Sequence, residues 1–183
     1  MPKGLKETSS QIVVSFGLVE TTPNTFTTER VDLQLNALDN EVFVVTGVKF
    51  DLEAPDLKVP PAAGSFRTAN FVSLSKQNIS NAVSRELSNP SIFATSQIQT
   101  IGQHIDVAAG YIAAAAVTTI EDNSDSPSQL EYVDVIATPD FHVNINGSGN
   151  DQPMSVSGKL YGYRARADAS TYAALVQSEL LSQ

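Results

Sequence analysis

Residues 27–52 read TTERVDLQLNALDNEVFVVTGVKFDL, and this stretch decides the fold class. Val31, Leu33, Leu35 and Ala37 alternate with Arg30, Asp32, Gln34 and Asn36. A period of two puts apolar side chains on one face of an extended chain and polar ones on the other, so residues 27–38 read as a half-buried strand. Asp39 and Asn40 are turn formers. From 41 to 52 a second strand is expected to return antiparallel to the first, with Phe43, Val45 and Gly47 alternating with Val42, Val44, Val48 and Phe50. Its early part is apolar on both faces, the pattern of a sheet covered on both sides.

The same period recurs along the chain. Gln11–Val19, Phe66–Ser75, Tyr132–Ala137, Phe141–Ile145 and Met154–Arg164 read as strands, and residues 146–151 read as the hairpin loop joining the last two. Residues 105–121 combine four consecutive alanines with Val117-Thr118-Thr119-Ile120 and are expected to be extended; residues 92–103 fit strand or helix. Asn78–Leu87 fits a short helix, with Asn78 as its cap and Asn89-Pro90 as its end. Asp168–Leu181 reads as an amphipathic helix whose Tyr172, Leu175, Val176 and Leu180 share a face. The organisation expected is a flexible arm at 1–10, an all-β domain at 11–167 and a C-terminal helix at 168–183. About eight strands without alternating helices imply an antiparallel two-sheet sandwich or barrel, not βαβ units.

Composition narrows the function. The chain has 183 residues, enough for one core, and 42% are hydrophobic. Only 17% are charged, below the usual fraction of about 25%, so much of the surface is neutral polar or is covered by a partner. Net charge is −9, and no Lys or Arg occurs between Glu86 and Gly158 while eight acids do. Strong nucleic-acid binding needs clustered cations; Lys3 and Lys6 are a small basic spot only. There is no cysteine, hence no disulfide or thiolate chemistry, and no apolar run long enough for a transmembrane span. The polar first ten residues carry no visible signal peptide, which suggests synthesis in the cytoplasm without export.

Chemistry-bearing constellations are sparse. His104 and His142 are the only imidazoles, no nucleophile elbow is present, and Asp140 with His142 on one strand face reads as an exposed pair, not as part of a triad. Two histidines without cysteine make a poor zinc set. Glu121, Asp122 and Asp125 offer oxygens for calcium in what reads as an acidic loop, but the central glycine and bidentate glutamate of an EF-hand are missing. No cofactor is implied. The absence of Trp disfavours the aromatic platforms of most sugar-binding enzymes. Tyr161-Gly-Tyr163-Arg164, followed by Arg166, is the most distinctive string; Tyr and Arg are enriched at interface hot spots, while a cross-strand aromatic pair is the simpler reading. Asn78-Ile-Ser80 and Asn146-Gly-Ser148 match glycosylation acceptors, which matter only in an exported eukaryotic chain.

This layout over residues ~11–165 resembles the single jelly-roll coat proteins of icosahedral viruses. The resemblance implies two facing sheets, an arm that ties neighbouring copies together and a docking helix at 168–183, which would add Tyr172 and Leu175 to the interface residues Tyr161, Tyr163, Arg164 and Arg166. It also implies a virion location and contacts with copies of itself and possibly with other virion proteins. The arm departs from many such coats in lacking a strongly basic character. A tail-tube, decoration or fibre subunit and a non-catalytic glycan-binding module are the alternatives; an enzyme is the last choice.

Overall fold

The computed structural model describes residues 4–60, 64–79, 87–105, 114–123 and 130–181. Numbered along the chain, the strands are β1 (Leu5–Glu7), β2 (Ile12–Val19), β3 (Thr27–Asp32), β4 (Glu41–Leu52), β5 (Gly64–Ser75), β6 (Ile92–Ile105), β7 (Ala114–Asn123), β8 (Asp134–Ile136), β9 (Asp140–Ser148) and β10 (Ser155–Ala167). A 3-10 turn spans Ala37–Asp39 and a helix, α1, spans Ala169–Leu181. One sheet has the order β1-β10-β4-β8, with β2 also on β10; the other has the order β3-β9-β5-β6-β7. Every pairing is antiparallel.

The pairings nest: β2 with β10, β3 with β9, β4 with β8 and β5 with β6. That is one long folded ribbon rolled up so that its halves lie in two facing sheets, the jelly-roll sandwich expected from the strand pattern. β7 is an extra strand outside β6. Phe16, Phe43, Leu74, Ile136, Phe141, Val143, Ile145 and Leu160 fill the space between the sheets. Phe16 meets Phe50 and Phe141 edge-on at 6.0 and 6.1 Å, and Phe93 meets Phe141 at 6.4 Å. Edge-to-face pairs add about 1 kcal/mol each beyond the area they bury. β10 lets these rings in because Gly158 and Gly162 lie under Phe16 and Phe43, where a Cβ would collide.

A second, smaller core lies on the outer side of the first sheet. Asp168 caps α1, its Oδ1 accepting from the Thr171 amide at 2.8 Å and the Ser170 hydroxyl at 2.6 Å, and these bonds hold its carboxyl below the ordinary value. Tyr172, Leu175 and Val176, one helix face, then pack on Val42, Val44, Val135, Ala137, Ala165 and Ala167. Residues 42–45 are therefore apolar on both sides because a sheet covers one and a helix the other. Gly4, at φ +83°, touches the start of α1; a Cβ there would stand 2.6 Å from Thr171 Oγ1.

The structure corrects several expectations. Residues 27–38 and 41–52 do not pair: β3 bonds to β9 and β4 to β10 and β8. The first strand ends at Asp32, after which Gln34 (φ +54°), a 3-10 turn capped by Asn36 and the left-handed Asn40 (φ +52°) carry the chain across to the other sheet. Residues 141–145 and 154–164 likewise sit in different sheets, with β9 running on through Ser148. Alternation identifies a strand but not its neighbour, since any antiparallel partner satisfies a period of two. In β4 the register shifts opposite Tyr161/Gly162, so Val42 and Val44 face α1 while Val48 and Phe50 face the main core, not one shared face. Residues 5–7 of the expected arm form β1, paired with Ala165–Ala167. Residues 92–105 are strand. The helix expected at 78–87 falls largely on residues outside those described, as do residues 1–3 of the arm and the side chain of Leu180.

Candidate assembly and binding surfaces

Of the six residues expected at an interface, five make contacts inside the chain. Tyr163, Tyr172 and Leu175 pack into the second core. Burial, with Glu7 and Glu131 nearby, pushes the Tyr163 hydroxyl above its ordinary value. Arg164 donates to the Leu33 carbonyl at 3.2 Å, and Arg166 pairs with Asp39. Tyr161 shares the outer face with Tyr163 but lies beyond the reach of α1, half-buried beside an open trough.

That trough, about 350 Å³, lies on the outer face of β2, β10 and β4. Its walls follow from register. Ser15, Lys159 and Lys49 form one row, and Asp51 pairs with Ser157 in the next outward-facing row. Both lysines are exposed, and among the described residues neither has a carboxylate within ion-pair distance. Gly47 leaves open space where a side chain would stand.

The second surface is the free edge of β7. Among the described residues this strand bonds only to β6 and ends its sheet. Residues 117–120 are exposed on both faces, with Val117 44% and Ile120 45% accessible. Sheet edges are ordinarily blunted by Lys, Pro, bulges or brevity. β7 has ten residues and contains no Lys, Arg or Pro. The neighbouring part of β5, Gly64–Arg67, is exposed too.

One end of the sandwich is closed by a polar knot. Glu20, 3% exposed, accepts from the backbone amides of Gly147, Met154 and Asn24, bringing the loop after β2 onto the loop before β10. Asn150, 4% exposed, donates to the Ala69 carbonyl at 2.8 Å and accepts from the Asp56 amide at 3.1 Å. Lys58 reaches the Gly149 carbonyl and Asp151.

The remaining candidates are dispersed. Glu121 and Asp122 lie within strand β7, paired with Ile98 and Gln97, not in a loop as expected; Asp125 is outside the described residues. Among the described residues no three acidic or histidine side chains converge as a metal set. Asp140 is paired to Arg30 at 2.7 Å, and His142 beside it is half-buried with an unpartnered Nδ1, its pKa lowered mainly by burial against the opposing pull of Asp140. Ser75, in register with His142, spends its hydroxyl on the Gln77 carbonyl. His104 contacts the Pro60 carbonyl.

The trough escaped sequence reasoning because a Lys49–Lys159 pair exists only through register. The β7 edge had a visible signal: it lies in the stretch devoid of Lys and Arg. Among the described residues no helix is long and apolar enough to cross a membrane. No protein-family model matches the chain, and no curated protein is significantly similar to it.

Proposed function

We propose that this protein is a structural subunit that assembles with copies of itself, most readily as the coat protein of a viral shell made in the host cytoplasm. One observation carries the reading: the ten-residue β7, without Lys, Arg or Pro, bonded among the described residues only to β6 and exposed on both faces at Val117–Ile120. An unpaired edge is a template for strand addition from another chain. The jelly-roll order supports the coat reading, since coats are among the proteins built on it, though lectins and cupins share it. The low charge content and the acidic, cation-poor half support burial of neutral surface over nucleic-acid binding.

The test is light scattering on a size-exclusion column, with negative-stain images of the leading fraction. Closed megadalton shells are the expected result. Open stacks would move the protein to the tube or fibre subunits, because a heterologous contact that fails to close gives a filament. A 19.5 kDa monomer at all salt and protein concentrations would overturn the reading.

A further inference from the structure

The trough on β2, β10 and β4 has a composition that assembly does not explain. Lys49 and Lys159 stand directly opposite one another. Like charges in register on one face destabilise a sheet, and this chain has acids to spare. Among the described residues Arg30, Lys58, Lys76 and Arg166 each have a carboxylate partner, whereas Lys49 and Lys159, like Lys6, Arg67 and Arg164, have none. Two ammonium groups on one strand row are a seat for a single anionic group. The net charge of −9 works against a polyanion such as nucleic acid at longer range, so the anion is small.

The rest of the lining identifies what the anion is attached to. Ser15 and Ser157 supply hydroxyls, Asp51 supplies an acceptor, and Tyr161 lines the trough opposite Gly47, where there is open space in place of a side chain. A carboxylate acceptor beside two cations disfavours a bare anion and suits hydroxyl donors. Half-exposed Val13, 48% accessible and paired with Tyr161, adds apolar area for a ring face. A volume of about 350 Å³ suits one or two sugar rings. We propose that the trough binds a carboxylated saccharide: its carboxylate sits on Lys49 and Lys159, its hydroxyls face Asp51, Ser15 and Ser157, and one ring face lies against Tyr161. This is independent of assembly, because the trough is complete within one chain.

Isothermal titration of the full chain with glucuronate, glucose and inorganic phosphate tests it. Glucuronate is expected to bind saturably at roughly millimolar affinity, as suits a shallow, solvated site. Glucose and phosphate are each expected to bind at least fivefold more weakly. The double variant Lys49→Gln/Lys159→Gln should lose at least tenfold in glucuronate affinity with its melting temperature unchanged or raised, since the like-charge pair is gone; Tyr161→Ala should lose severalfold. Phosphate binding as tightly as glucuronate would overturn the sugar assignment, and glucose binding as tightly would overturn the role of the lysines. No saturable glucuronate heat, or full affinity in the double variant, would overturn the site itself.

Discussion

The knotted end around Glu20 and the free edge at β7 treat backbone polar groups in opposite ways. At the knot the amides of Asn24, Gly147 and Met154 point at a buried carboxylate, and Asn150 serves a carbonyl and an amide of two further segments. At β7 the outer row of backbone groups has no strand beside it among the described residues. A buried unpaired amide costs about 1–3 kcal/mol, whereas a solvated one costs little. The chain therefore supplies side-chain partners where it buries its backbone. Where it leaves backbone exposed, at β7, it also leaves out the lysines and prolines that most often deter an added strand. Substitutions at the knot should change stability, and substitutions at the edge should change association.

Glu20→Ala is the harshest test of the first half of that contrast. It strips the acceptor from three amides at a 3% exposed position. A loss of about 3 kcal/mol is expected, read as a lower urea midpoint at unchanged slope. A loss under about 0.5 kcal/mol would mean that water serves these amides as well as the carboxylate does, and the contrast would fail.

The two tyrosines of β10 repeat the contrast within one strand. Tyr163→Ala empties a place in the second core beside Leu175 and should cost about 1–2 kcal/mol. Tyr161→Ala opens the trough further and should leave the melting temperature nearly unchanged. Equal losses would mean that α1 contributes nothing to the packing of Tyr163.

Glu179 joins α1 to the corner after β8, its carboxylate accepting from the Ala137 and Thr138 amides at 2.9 and 3.0 Å. Burial raises its pKa above the ordinary 4.5 despite those bonds and the nearby Lys76. A raised folded value means that the native state holds the proton more tightly than the unfolded chain. The stabilisation is therefore fully present below about 4.5 and is lost as pH rises through the folded value. Asp168, with its lowered value, acts with the opposite sign and in a lower window, below 3.8. Thermal melts from pH 4 to 7 should show Glu179→Gln losing less stability with rising pH than the parent. Parallel profiles would assign the pH dependence elsewhere.

Much of this was legible in the sequence, and the limit has a physical cause. The alternation at Val31 and Leu33, the apolar run at Val42–Val45 and the helix face of Tyr172, Leu175 and Val176 report local burial, which a side-chain period encodes directly. Partner choice is not local. Residues 27–38 and 41–52 look like a hairpin because nothing in either strand's alternation records that Gln34 and Asn40 adopt left-handed backbone and send the chain to the other sheet. The face switch in β4 depends on one extra residue opposite β10, and the Lys49–Lys159 row depends on register across 110 positions of chain. Strand alternation places Tyr161 and Tyr163 on one face; that α1 covers only one of them is a fact of tertiary packing.

The smallest effect on stability, and the most informative for function, is expected at the edge. Thr118→Lys places a cation on an exposed position of β7, paired in the ladder with Ile101. Exposed strand positions tolerate such changes within about 0.5 kcal/mol, so the melting temperature should hold. A lysine on an edge strand puts a solvated charge where an added strand would have to pack, which is how natural sheets deter pairing. The variant should therefore elute smaller than the parent while remaining folded. Ile120→Lys, whose side chain is 45% exposed and two positions further along the same face, should do the same. If both variants assemble like the parent, β7 is not the contact, and copies must meet through another surface. If both instead unfold, the edge is carrying stability that its exposure does not suggest, and the contrast with the knot breaks at its weaker end.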